Sequence, residues 1–402
     1  MDKVVTRPFA RDVAVMGGCG RVGLPLAIAM AQAGMRTTSF DINPGAVAGV
    51  NAGEMPFDEP DADWRLREVL ASGMFTASTD PVVLAHSEHI IVVVGTPVDE
   101  HLNPDPLVVR DAIRSVSEHL RDGQLLVLRS TVFPGVTRLV EDFVRSTGLD
   151  IDVSFCPERI AEGKAFVELH TLPQLVSARH ERAMARASDL FRHISEEIIE
   201  LVPEEAELAK LFTNTWRYIR FAAANQLYMI ANDYGLDFER IRQAVKHNYP
   251  RAADIPGAGL AAGPCLLKDT MQLAAFHENN FTLGNASMMV NEGLPLYIVG
   301  RLEQKHDLST LTVGLLGMTF KADSDDIRSS LSYKLRRILR FKAREVLCHD
   351  PYVKDPTFVE FDEVEARSDI LIIGAPHTMY KDFTTDKPVV DIWNLRGSGA
   401  RV

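Results

Sequence analysis

The sequence predicts an α/β protein built from two doubly wound, parallel-sheet domains with a helical region between them. Three observations carry this. Near the N-terminus an apolar strand, a glycine loop, an apolar helix and a second strand follow one another directly. From Leu311 the same strand, loop, helix and strand succession begins again. Between the two, from about Arg179, short apolar runs give way to long helical periodicity. A chain of 402 residues has room for two or three such domains.

The first element is "DVAVMGGCGRVGLPLAIAMAQAG", read as a buried strand over Val13 to Met16, a loop, and a helix ending at Gly34. The loop spells Gly18-x-Gly20-x-x-Gly23, and "MRTTSFDIN" then closes a strand on Asp41. This context turns a weak motif into a dinucleotide fingerprint. Gly18 is expected to allow the tight turn, Gly20 the approach of a pyrophosphate, and Gly23 the close packing of helix and strand. The helix start, with Arg21 and Val22, offers N–H groups to phosphate. Asp41 is placed to accept the ribose hydroxyls and to repel a 2′-phosphate, which favours NAD over NADP.

"HIIVVVGTPVD", "QLLVLRSTVFPG" and "DVSFCPER" continue as strands of the same sheet. Ligands of open α/β sheets lie beyond the carboxyl ends of the strands. That places Thr96, Ser130, Thr131, Pro157 and Glu158 around one crevice; taken singly, Thr96 reads equally well as a strand-end cap. The helical segments are "RHERAMARASDLFRHI" and "VPEEAELAKLFTNTWRYIRFAAANQLYMIANDYG". The second starts with Pro203 and glutamates, ends near Gly235, and is long enough to carry a dimer interface along one side. Lys210 and Asn214 stand four apart on it; spacing alone reads as a solvated lysine and an incidental asparagine. In the third segment, "LTVGLLGMTFKADSDDIRSS" leads into the strands "REVLCHDP" and "DILIIGAP", with Lys321 on the first loop.

A formal net charge of -12 argues against a nucleic-acid or anionic-membrane surface. No apolar run reaches the length of a bilayer span, and "MDKVVTRPFARD" lacks the apolar core of a secretory leader. The four cysteines, Cys19, Cys156, Cys265 and Cys348, lie far apart with no metal spacing, so the expectation is no metal and a reducing cytoplasm. Cys265 stands out in "AAGPCLLKDT". Pro264 suits the first position of a helix, which puts Cys265 in its first turn, where the dipole favours thiolate. Lys268 and Asp269 follow three and four residues on, on the same face. A thiolate, a cation and a carboxylate able to direct a water make a nucleophilic site. With a dinucleotide loop in the same chain, aldehyde oxidation through a thioester follows.

Six stretches in order, "GGCGRVGLPLA", "RSTVFPGVT", "CPERIAEGKA", "KLFTNTW", "PGAGLAAGPCLLKD" and "GMTFKADSDDIRSS", resemble the nucleotide-sugar 6-dehydrogenases, the family of the UDP-glucose, UDP-N-acetylmannosamine and GDP-mannose enzymes. The resemblance covers nearly the whole chain. It implies two Rossmann-like doubly wound domains joined by a central helical dimerisation region: an NAD-binding domain over 1–180, a central domain over 181–300, and a nucleotide-sugar domain over 301–402. It also implies a four-electron oxidation of a C6 alcohol to a carboxylate with two NAD, in a homodimer. Cys265 then matches the catalytic thiol and Asp269 a carboxylate working through water. Lys210 and Asn214 match the pair that stabilises oxyanions, and Thr131 and Glu158 match residues that position water. Thr96, Ser130 and Thr131 join the cofactor set. Lys164, Gly259 and Lys321 match substrate contacts, and Arg251 an arginine donated across the dimer. The family usually carries an aromatic in the glycine loop before the cysteine; here Leu260, Ala261 and Ala262 stand there, so a differently shaped sugar pocket is expected. "CPERIAEGKAFVELHTLPQLV" is closer to the versions acting on UDP-N-acetylhexosamines. Two alternatives remain at this point: a two-electron dehydrogenase of the β-hydroxyacid type, and a non-catalytic sensor of NAD and nucleotide.

Overall fold

The computed structural model describes residues 9–96, 98–99 and 104–402. The start of the segment read above for a leader, residues 1–8, lies outside them. The chain divides into two compact units, Met1–Phe212 and Thr213–Val402.

The first unit holds an eight-stranded sheet. Its strands are β1 (Arg11–Met16), β2 (Thr37–Phe40), β3 (Phe75–Ser78), β4 (Ser87–Val92), β5 (Leu125–Leu128), β6 (Asp152–Phe155), β7 (Gln174–Ser177) and β8 (Ile198–Leu201), in the order β3-β2-β1-β4-β5-β6-β7-β8. Every pairing is parallel except β6 with β7. Strands β2, β5, β6 and β7 are buried along their whole length; β5 (LLVL) shows this as an apolar run, whereas β2 (TTSF), β6 (DVSF) and β7 (QLVS) bury hydroxyl, carboxylate or amide side chains with the apolar ones. The helix Gly23–Gln32 is likewise buried along nearly all its length, its alanines and leucines packed in the core. The sheet continues through β8 to Leu201, past residue 180, where the sequence changes character. Two buried acids tie loops to helix starts. Glu207 accepts the Gly135 and Thr137 N–H groups and the Thr137 hydroxyl. Glu59 accepts the N–H groups of Gly163 and Ala165.

The long helix runs from Pro203 to Asp233, so the division between units falls within it. Glu204 and Glu205 occupy its first turn, and Glu205 reaches back to the Val202 N–H, satisfying one of the donors a helix start leaves open.

The second unit holds a four-stranded parallel sheet: β9 (Thr312–Leu316), β10 (Glu345–His349), β11 (Ile370–Ile373) and β12 (Val389–Val390), ordered β10-β9-β11-β12. The helix Leu331–Lys342 connects β9 to β10, and Phe361–Arg367 connects β10 to β11. One core joins this sheet to Tyr228, Phe238 and Leu260 and to the helix Thr282–Lys305. Both units are therefore doubly wound, as the sequence predicts. No helix among the described residues is long and apolar enough to cross a membrane.

Candidate functional site

The dinucleotide loop leaves β1 at Met16. The residue with positive φ is Gly17, at +78°, one place ahead of the glycine expected to make the turn. Any Cβ there would strike the Val93 carbonyl. Gly18 is instead excluded from bearing a side chain by Ser39 Oγ and Val15 O, each 2.6 Å from where a Cβ would stand. Gly23 packs against the Gly17 carbonyl at the start of the helix, as its role requires. A Cβ on Gly20 would have only the Gly17 carbonyl near it, at 3.5 Å, so the outer side of the loop is clear for a pyrophosphate. Val22 caps the helix, and the Arg21 guanidinium lies over the Phe57 ring.

Asp41 stands beside this loop at the end of β2. Its Oδ2 accepts the Cys19 N–H at 3.1 Å and its Oδ1 the Asn43 N–H at 3.0 Å. Each oxygen keeps a lone pair for a ribose hydroxyl. Burial, reinforced by the Asp41 charge, pushes the Cys19 thiol up to about 12, so it stays neutral at the loop. Clear space at Gly20 and an acid with spare acceptor capacity fit NAD.

The next strand ends do converge. Ser130 Oγ donates to Val94 O and accepts the Val94 N–H, both at 2.8 Å, and Thr96 Oγ1 donates to Thr131 O at 2.7 Å. The loops after β4 and β5 are thereby sewn together, with Ser130 and Thr96 as the ties. Glu158 is more heavily engaged. Its Oε2 takes Arg129 Nε and Nη2 at 2.8 and 2.5 Å, and its Oε1 takes the N–H groups of Arg159 and Ile160 at 2.7 and 2.9 Å. Arg129 is 1% exposed, donates also to Cys156 O and Gln174, and lies over the Phe191 ring. A buried guanidinium is stable only with such a complete set of partners. Its signal in the sequence is a lone charge closing the apolar strand "QLLVLR", which the sequence reading passes over. Lys164 is exposed at the start of the helix Ala165–Thr171, and Lys210 is buried in the last residues of the first unit.

In the second unit Cys265 is the N-cap of the helix Leu266–Phe276, with Pro264 ahead of it, rather than a first-turn residue. Its carbonyl accepts the Asp269 N–H at 2.9 Å. The thiol is exposed and in no disulfide, and it keeps its place at the positive end of the helix. Asp269 is fully buried; its Oδ2 accepts Asn214 Nδ2 at 2.6 Å. Its Oδ1 has no hydrogen-bond partner, with Lys268 Nζ 3.5 Å away. An acceptor left open on a buried carboxylate is costly in a structural role and suited to holding a water or a substrate hydroxyl. Asn214 is thus engaged with the carboxylate rather than incidental.

The loop before Cys265 is held from behind. Asn225 Oδ1 accepts the Gly259 N–H and its Nδ2 donates to Gly259 O, at 2.9 and 3.0 Å. Asn225 Nδ2 also reaches Asn291, which donates to Tyr218 O. Both asparagines are fully buried. Leu260 and Ala261 point inward, and the Trp393 ring occupies the space a Cβ on Gly259 would need, so an aromatic does border this loop, from far along the chain. Arg251 is exposed on the turn Pro250–Ala252, over the Tyr249 ring. Lys321 lies on the loop after β9, where its carbonyl accepts the Thr319 hydroxyl.

Comparison with known proteins identifies the family. Three models of the UDP-glucose/GDP-mannose dehydrogenase family match in order: the NAD binding domain over residues 11–195, the central domain over 204–293 and the UDP binding domain over 314–397. The UDP-N-acetyl-D-mannosamine dehydrogenase of Pyrococcus horikoshii is 32% identical over 382 residues, 92% of this chain and 90% of that one. The solved structure of the P. horikoshii enzyme superposes with a TM-score of 0.87 over 93% of this chain and 91% of its own, at 29% identity. That of a UDP-glucose dehydrogenase from Pyrobaculum islandicum gives 0.89 over 97% and 96%, at 28% identity. The chain belongs to the UDP-glucose/GDP-mannose dehydrogenase family, whose members are NAD-dependent oxidoreductases of nucleotide sugars.

Proposed function

We propose that this enzyme oxidises the C6 hydroxyl of a UDP-N-acetylhexosamine to the carboxylate, through a thiohemiacetal and a thioester on Cys265. The observation that carries the reading is an exposed thiol at a helix N-cap, followed four residues on by a buried carboxylate with one open acceptor. When bound, NAD would supply the hydride acceptor for both oxidations at C6. Gly18, Gly20, Arg21, Val22 and Gly23 hold its pyrophosphate, Asp41 its adenosine ribose, and Thr96, Ser130 and Thr131 line its other end.

Asp269, through a water, receives the C6 hydroxyl proton in the first oxidation. The aldehyde carbon then bonds to Cys265 Sγ, and the carbonyl oxygen becomes an alkoxide. Lys210 and the Asn214 amide stabilise that charge, a role commonly worth about 10²–10³ in rate per donor. Loss of the second hydride leaves the thioester. A water held by Asp269 and Thr131 adds to it and the Cys265–carbon bond breaks; one proton of the water goes to the sulfur and the other through Asp269 to solvent, so that carboxylate and thiol are released. Glu158 is assigned to the positioning of the same water; Arg129 and two backbone N–H groups hold its carboxylate in one orientation. Lys164, Gly259, Arg251 and Lys321 contact the substrate, Arg251 across a homodimer. The proposed division places NAD on 1–180, the thiol on the central 181–300, and the sugar's nucleotide on 301–402. A nucleophilic thiol also suits a reducing cytoplasm.

The choice of sugar is supported by the "CPERIAEGKAFVELHTLPQLV" stretch and by the P. horikoshii relative. The test is a panel of UDP-N-acetylmannosamine, UDP-N-acetylgalactosamine and UDP-glucose, scored for NADH and product at completion. Two NADH and one uronic acid per sugar are expected. A ratio of one with an aldehyde or ketone product would favour the β-hydroxyacid type of chemistry instead.

A further inference from the structure

The two units repeat one piece of geometry, and the repeats part at the acid. In the first, β1 ends at Met16 and the N–H of Gly17 (φ +78°) donates to Phe40 O. The next residue after Phe40 is Asp41, which accepts N–H groups from Cys19 and from Asn43, two places on. In the second, β9 ends at Leu316 and the N–H of Gly317 (φ +87°) donates to His349 O. The next residue is Asp350, which accepts N–H groups from Met318 at 2.6 Å, Thr319 at 3.2 Å and Tyr352, two places on, at 2.9 Å. The two acids hold equivalent places, each at the end of its second strand against the loop from the first.

Asp41 is partly exposed, as a ribose acceptor must be, whereas the Asp350 side chain is 0% exposed. Against it lies His377, itself 0% exposed, from the loop after β11. His377 Nε2 lies 3.0 Å from Asp350 Oδ2 and 3.2 Å from Thr319 Oγ1. The Asp323 N–H donates to His377 Nδ1 at 2.8 Å, which assigns the proton to Nε2. Burial pushes the Asp350 carboxyl up, but the hydrogen bonds from His377 and Met318 outweigh it and hold it below its ordinary value.

Asp323 is a non-glycine residue at φ +49°, a conformation that persists only when its surroundings impose it. The surroundings are these: His377 on its N–H, and Thr378 N–H, Thr378 Oγ1 and Tyr352 OH on its carboxylate. Two residues earlier stands Lys321, its carbonyl taken by Thr319 Oγ1. The loop is therefore pinned on both sides of Lys321, and His377 touches both pins.

We propose that His377 fills, from within the chain, the place a ribose takes at such an acid, and that it is thereby the positioning residue that fixes the Lys321 loop for the nucleotide of the substrate. The second unit, on this account, has given up the dinucleotide manner of binding for a rigid shelf. The proposal rests on the reading of Lys321 as a substrate lysine.

The test uses the full-length enzyme and UDP as probe, by titration calorimetry, with NAD affinity and thermal unfolding measured alongside. His377→Asn keeps an acceptor for the Asp323 N–H, His377→Gln keeps a donor for Asp350, and His377→Ala keeps neither. The expected result is UDP binding weakened roughly tenfold in His377→Ala and His377→Gln, largely recovered in His377→Asn, with NAD affinity unchanged in all three. Lys321→Met is run in parallel. If it leaves UDP binding unchanged, the reading of Lys321 fails. If it weakens UDP binding while His377→Ala does not, the role of His377 is overturned. Should His377→Ala fail to fold, the pair of amides decides, and equal UDP affinities in the two would overturn the proposal.

Discussion

Four thiols in one chain behave differently because of where the fold puts them. Burial pushes Cys156 and Cys348 up to about 11, and Cys19 is held near 12, so all three stay protonated and shielded at neutral pH. Cys265 is the exposed one, at a helix N-cap. Native enzyme treated with iodoacetamide at pH 8 is expected to take one label, at Cys265, read by peptide mapping; comparable labelling of Cys19 would contradict this account. Gly259 makes a second residue-scale prediction. With Trp393 in the space of its missing Cβ, Gly259→Ala must displace the ring or the Asn225-held loop. A loss of about 1–3 kcal/mol is expected in chemical unfolding, the usual cost of overpacking. A variant as stable as the parent would mean the loop and ring part easily.

At the scale of the element, both sheets end their second strand on an acid, and the two acids have opposite duties. Asp41 faces outward with acceptor capacity to spare, so Asp41→Ala should weaken NAD binding about 10–100-fold, the cost of losing charged hydrogen bonds, and narrow the preference over NADP. Fluorescence titration with both cofactors checks it, and a parent enzyme that prefers NADP would refute the role. Asp350 faces inward and stabilises. Its folded-state pKa lies below the ordinary 3.8, so its contribution is fully present above that value and is lost as pH falls through the folded-state pKa. Asp350→Asn should therefore be less stable than the parent at pH 7 in urea, and the gap should shrink at pH 3 and below. A gap independent of pH would assign the effect to shape rather than charge.

At the scale of the whole molecule, the long helix Pro203–Asp233 leaves Phe212, Trp216, Leu227 and Ile230 exposed, and Tyr234 follows just past its end. Their spacings of three, four and eleven residues put them along one stripe. A continuous apolar stripe on a helix of this length suits an isologous contact with a second copy, which supports the proposed homodimer. Light scattering after gel filtration should give twice the chain mass, and Trp216→Glu with Ile230→Glu should give the monomer. A parent enzyme already monomeric at micromolar concentration would remove the helix from that role.

The strands that run into the two nucleotide loops, the glycine loop after β1, the acid at Asp41 and the thiol at Cys265 were legible in the sequence, because each depends on neighbours within a few residues; the short strands β3, β7, β8 and β12 were not. A buried parallel strand reads as an apolar run, and a helix start is marked by Pro203 or by the Gly-Pro pair before Cys265. Local reading erred by single positions, placing the turn at Gly18 rather than Gly17 and Cys265 inside the helix rather than at its cap. Which polar groups are spent and which stay open depends on contacts between distant segments. Glu158 and Asp269 are both acids in motifs, yet Arg129 and two N–H groups saturate the first, while the second keeps an oxygen that faces Lys268 without a hydrogen bond. Asn225 on Gly259, Trp393 beside it, and His377 on Asp350 join residues 34, 134 and 27 positions apart. No periodicity encodes such pairs, since a hydrogen bond or a packed ring depends on the meeting of distant segments, and that is settled by the sheet order and the core.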